Sequence, residues 1–129
     1  MEQEEGRELI KEVNLEELEA TLKWFKKDKS PGPDGWTIEF YLDFFDIIGV
    51  DLLHVIEDSR ISGHIAASIT STFIVLIPKS NNLTSFDEYR PISLCNCIYK
   101  IIAKIIANRM QPILSNHISP EQFAFLQDR

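Results

Sequence analysis

The chain has 129 residues, 44% of them hydrophobic, enough for one domain with a modest core and too apolar for a disordered chain. Its formal net charge of −7 excludes a generic basic nucleic-acid binder. The charge is uneven, however: residues 1–28 carry 5 basic and 9 acidic side chains, residues 29–60 carry 2 and 7, and residues 61–129 carry 6 and 4, so a bound polyanion is expected to meet the second half.

In chain order, the opening MEQEEGRELI is acidic and has no apolar run, so it reads as neither a signal peptide nor a basic transit sequence. Asn14 reads as an N-cap. Leu15, Leu18, Leu22 and Phe25 then recur on one face, which predicts an amphipathic helix of about four turns with Lys26 and Lys27 at its C-terminal dipole. The stretch KSPGPDGW ends it, because proline cannot continue a helix and extends the residue before it. Pro31, Gly32, Pro33, Asp34 and Gly35 read as a rigid structural turn, with Gly35 free to take positive φ. Its two prolines lack the N–H donors a phosphate nest needs, and it matches neither the P-loop nor the dinucleotide pattern.

Thr37 reads as the cap of a second helix bearing Phe40, Tyr41, Phe44, Phe45 and Ile48, with Gly49 as its stop. Asp51 reads as the start of a third, ended by Gly63. Residues 70–77, TSTFIVLI, are β-branched and aromatic and predict a strand that Pro78 closes. Residues 81–88 read as a polar loop and residues 89–94 as extended, since Pro91 forces Arg90 away from helix. Ile98, Ile101, Ile102, Ile105, Ile106 and Ile113 predict a helix whose opposite face carries Lys100, Lys104, Asn108 and Gln111. With Arg109, these lysines make it too charged to span a bilayer. Ser119-Pro120-Glu121-Gln122 forms a capping box that announces a further helix, which the sequence does not continue, the pattern expected of a truncated unit. The expected class is therefore α+β, mostly helical with a small antiparallel sheet. The chain reads as soluble and intracellular, in nucleus or cytoplasm.

Cys95 and Cys97 stand two residues apart and suit neither a disulfide framework nor a zinc site, so they read as reduced thiols. His54, His64 and His117 lack metal-ligand spacing, no GxSxG elbow occurs, and no pair of carboxylates is set for acid–base work. No catalytic residue and no metal site is assigned. Lys79, Arg90, Lys100, Lys104 and Arg109 admit two readings, a grip on a triphosphate or nucleic-acid backbone and a solvated basic face.

Four segments taken together, KSPGPDGWTIEFY, FIVLIPK, FDEYRPISLCNCIYKIIAKIIANRM and ISPEQFAFLQDR, resemble in order and spacing the amino-terminal part of a non-LTR (LINE-type) retrotransposon reverse transcriptase, in plant-like wording. The resemblance runs from about Leu15 to Arg129. It implies one partial domain over 1–129, with an N-terminal amphipathic helix region at 1–28 and the fingers region at 29–129. It implies that the PGPDG turn shapes the fingers and that Lys79 and Arg90 lie near nucleotide phosphates or template. Lys100, Lys104 and Arg109 become candidate template contacts, and Gln122 with Phe125 matches a Q-x-x-F segment at the fingers–palm boundary. Asp128 beside Arg129 departs from the family's small-residue-Arg ending. The family polymerises deoxynucleotides on an RNA template and DNA primer with Mg²⁺ held by palm aspartates. Its F/Y-x-D-like and YADD-type motifs do not occur in this sequence, and Asp43 and Asp46 are no substitutes. The expectation is a fingers fragment of an RNA-directed DNA polymerase that does not catalyse alone. The alternatives are a non-catalytic nucleic-acid-binding remnant and a functionless retroelement fossil.

Overall fold

The computed structural model describes residues 2–81 and 85–119. Helices α1 (Glu2–Ile10), α2 (Leu15–Trp24), α3 (Ile38–Asp43), α4 (Phe45–Ser62) and α5 (Ala67–Thr70) precede strands β1 (Thr72–Pro78) and β2 (Tyr89–Cys95), and α6 (Cys97–His117) follows. The architecture is α+β: a helical body from which a two-stranded antiparallel ribbon projects.

The body forms because α2, α3, α4 and α6 each carry an apolar stripe. Leu18 and Leu22 of α2, Ile38 and Tyr41 of α3, Leu52 and Ile56 of α4, and Ile101, Ile102 and Ile105 of α6 meet in one buried cluster with Val13 and Cys97. Burial of the Tyr41 phenol, with Asp34 nearby, pushes its pKa up to about 12. Asn14 caps α2 by accepting from the Glu17 N–H at 2.8 Å. The helix is shorter than the four turns expected, because Phe25 is already extended and Asp28 takes a left-handed φ of 59°, its N–H donating to Glu39. Lys26 and Lys27 consequently lie beyond the helix.

Thr37 caps α3 as expected, but the break that follows falls at Phe44, and α4 runs unbroken through Gly49 and Asp51 to Ser62. Gly49 is buried under its own helix's Phe45 ring, whose atoms would stand 3.2 Å from an added Cβ. It serves close packing and not termination. Gly63, with φ 69°, does cap α4 in the left-handed conformation and donates to the Ser59 carbonyl at 2.9 Å.

Helix α1 was not foreseen. It is Glu-rich and buries no residue, so it has no apolar period to read. Its anchor is polar: Arg109 donates to the carbonyls of Leu9 and Lys11, and His117 faces Glu5 at 3.3 Å.

The ribbon pairs Thr72 with Cys95 through Pro78 with Tyr89. Directly opposed residues share a face. One face therefore carries Phe73, Val75, Ile77, Ile92, Leu94 and Arg90, and the other carries Ile74, Leu76, Pro78, Ser93, Pro91 and Tyr89. Every β1 side chain is exposed. The capping box past Ser119, with Gln122 and Phe125, lies outside the described residues. Among the described residues no helix is long and apolar enough to cross a membrane.

Candidate nucleic-acid interface

The ribbon's root is fixed by one buried amide. Asn96, at the junction of β2 and α6, is 1% exposed. Its Oδ1 accepts from the Asp34 N–H at 3.0 Å, and its Nδ2 donates to the carbonyls of Ser68 at 3.0 Å and Ile69 at 3.2 Å. One side chain thus joins the PGPDG turn, α5 and the entry to α6. The turn closes through the Gly35 N–H donating to the Gly32 carbonyl at 3.1 Å, with Gly35 at φ 77°. Asp34 Oδ1 accepts from the Trp36 N–H at 3.0 Å. Gly32 seats the turn: a Cβ there would stand 2.5 Å from Asn96 N and Cys95 C, both backbone atoms that cannot swing aside. The Cys97 thiol donates to the Trp36 carbonyl at 3.2 Å, and burial pushes its pKa up, which makes it a packing residue and not a reactive thiolate.

This latch sets where the cations stand. Lys79 follows β1 directly; its N–H donates to the Glu88 carbonyl at 2.8 Å, and its Nζ donates to the Asp87 carbonyl at 3.1 Å. Arg90 lies on β2 opposite Ile77 and is exposed. The fold brings these two together at the ribbon's distal end, about six residue steps of roughly 3.3 Å from its root. Lys100 and Lys104 are one turn apart on α6. The Lys104 ammonium sits 3.5 Å over the Trp24 ring centroid, a cation–π contact.

Arg109 is placed elsewhere. Its side chain is 8% exposed. Its guanidinium pairs with both Glu17 oxygens, at 2.9 and 2.8 Å, and donates to the carbonyls of Leu9, Lys11 and Glu12. Arg60 makes a matching clasp from α4, pairing with Glu57 and donating to the Ile10 carbonyl at 2.8 Å. Glu57 also accepts the Val13 N–H; its hydrogen bonds to Arg60 foremost hold its carboxyl below the usual range. The two arginines grip the α1–α2 linker between them. Asn96, Glu17 and Glu57 escaped the sequence reading. Asn96 was legible in principle, as an amide in the otherwise apolar run SLCNCI between a strand and a helix.

Residues 77–129 match the family model for reverse transcriptase (RNA-dependent DNA polymerase). Over 110 residues the chain is 36% identical to the transposon TX1 uncharacterized 149 kDa protein of Xenopus laevis, covering 85% of this chain and 8% of that protein. Residues 77–129 thus carry the reverse transcriptase pattern, and the chain is similar over most of its length to proteins of transposable elements. The retrovirus-related Pol polyprotein from type-1 retrotransposable element R2 of Popillia japonica is 25% identical over 112 residues, covering 87% of this chain and 15% of that protein. The element R1 Pol polyprotein of Bradysia coprophila is 25% identical over 123 residues, covering 93% and 12%. The chain thus spans between 8% and 15% of these relatives. The alignments are far longer than the family match, so the likeness to these retroelement proteins extends well upstream of Ile77. The five candidate cations and Gln122 all lie inside the reverse transcriptase match.

Reverse transcriptases as a family use divalent metal. Among the described residues no group of three or more His, Cys, Asp or Glu could hold such an ion. The described residues therefore offer no ligand set for a catalytic magnesium.

Proposed function

We propose that the chain forms the fingers of a retrotransposon RNA-directed DNA polymerase, one partial domain in which residues 1–28 brace residues 29–129. In this reading Lys79 and Arg90 meet the triphosphate of an incoming deoxynucleotide, arginine through its bidentate fork and lysine as a point charge. Lys100 lies along the template backbone, beside a Lys104 held on the Trp24 ring, with an RNA template and DNA primer as the nucleic-acid partners. Catalysis and its Mg²⁺ belong to aspartates this chain does not supply. The observation that carries the reading is the ribbon, which holds two cations at its far end and is locked at its root by Asn96.

The test is titration of the purified chain with a deoxynucleoside triphosphate, followed by amide shifts. Shifts centred on Lys79 and Arg90, abolished in Lys79→Ala and Arg90→Ala, are expected. Shifts that ignore both substitutions overturn the assignment. Primer extension on an RNA template with Mg²⁺ is expected to give no product from this chain, and templated incorporation would refute its non-catalytic role.

A further inference from the structure

Helix α4 has a second apolar stripe, turned away from the core. Ile47, Val50 and Ile61 are 74%, 52% and 74% exposed, and His54 between them is also exposed. Their spacing of three, four and seven is the heptad spacing of a helix–helix seam. The core-facing residues Gly49, Leu52 and Ile56 occupy the opposite side, so the helix is apolar on two faces and only one is covered. Scattered exposed aliphatics need no explanation, but three in register along one line of an 18-residue helix form a surface.

The rims of the stripe are acidic. At 3.6 residues per turn, Asp51 and Asp58 flank one side, and Asp46 with Glu57 flanks the other. Glu57 is held by Arg60. Asp46, Asp51 and Asp58 are exposed and have no cationic partner among the described residues. Charge decides which occupant fits. A second copy packed on the stripe would set aspartate against aspartate, and a nucleic-acid backbone or anionic membrane surface would be repelled outright.

We propose that this face is a docking site for a basic amphipathic helix of a partner protein, with aliphatic residues in the seam and Lys or Arg on both flanks. This is independent of the ribbon and of the polymerase reading.

The experiment titrates the ¹⁵N-labelled chain with a monomeric three-heptad peptide carrying Leu at the seam and Lys at the flanks, and with its Glu-flanked counterpart. The Lys peptide is expected to shift the amides of Ile47, Val50, His54 and Ile61, and the Glu peptide to leave them unmoved. Ile47→Ser and Ile61→Ser are each expected to weaken binding about tenfold, the loss of one largely buried aliphatic side chain. Both positions are exposed, so the fold survives the change. Reversing the rim with Asp51→Lys and Asp58→Lys together should switch preference to the Glu peptide. Equal binding of the two peptides, no binding of either, shifts confined to other elements, or a concentration-dependent dimer that Ile47→Ser dissolves would each overturn the proposal.

Discussion

Removing the Asn96 side chain isolates what the latch contributes. Asn96→Ala deletes three hydrogen bonds from a buried site: one accepted from Asp34 and two donated to Ser68 and Ile69. At about 1 kcal/mol each, less what water recovers at the partly exposed turn, the loss is about 2–3 kcal/mol. Asn96→Asp keeps the bond from Asp34 but sets a carboxylate oxygen against two carbonyls, so at neutral pH it should rescue nothing. Gly32→Ala attacks the latch from the other side, since its Cβ meets backbone at 2.5 Å; such overpacking costs about 1–3 kcal/mol. Once Asn96→Ala has released the turn, Gly32→Ala has less to disrupt. The double variant should therefore fall short of the sum by about 1 kcal/mol or more. Urea unfolding followed by far-ultraviolet circular dichroism measures all four variants, and hydrogen exchange at the Asp34 amide reads the latch directly. An Asn96→Ala cost below about 0.5 kcal/mol, or strict additivity in the double variant, would refute the reasoning.

Arg109→Ala should destabilise by about 3 kcal/mol, because it strands a partly buried Glu17 and three carbonyls, and Arg109→Lys should recover little since an ammonium cannot reproduce the fork; thermal unfolding checks both. Glu57→Gln should destabilise the chain at neutral pH. Because the folded-state pKa of Glu57 is depressed, its contribution is present above the ordinary carboxylate pKa and is lost as pH falls through the folded value, so unfolding curves of wild type and variant should converge in acid. Leu22→Ala, at a fully buried core position, should cost about 2–5 kcal/mol by urea unfolding.

The elements that packing dictates were readable. The leucines of α2, the isoleucines of α6 and the β-branched run of β1 announce their elements, and Gly63 announces a stop, whereas α2 ends at Trp24, before Pro31 and Pro33 are reached. What escaped depends on contacts distant in sequence. Gly49 looks like a terminator, and only the Phe45 ring over it shows why the helix passes through. Helix α1 has no apolar face, and a clasp from residues some 50 and 100 positions away holds the linker behind it. The candidate site was half legible. Lys79 and Arg90 do come together because antiparallel pairing folds their segments back on one another. Arg109 could not be sorted from the lysines on α6 by sequence, because what separates them is Glu17, 92 residues away along the chain.

That sorting has a measurable consequence for nucleic-acid binding. The five candidate cations together would give single-stranded binding a salt slope of about −3.5, at roughly −0.7 per phosphate contact. The fold withdraws Arg109 into the linker clasp and stacks Lys104 on Trp24, leaving Lys79, Arg90 and Lys100 able to face a backbone. The expected slope is then about −2. Lys79→Ala or Arg90→Ala should each reduce it by about 0.7 with stability unchanged, and Arg109→Gln should lower stability with the slope unchanged. Filter binding of a single-stranded RNA across salt concentrations measures the slope. A value near −3.5 that falls on Arg109→Gln would show that Arg109 leaves its clasp to meet phosphate, and the division between structural and binding cations drawn from this fold would be wrong.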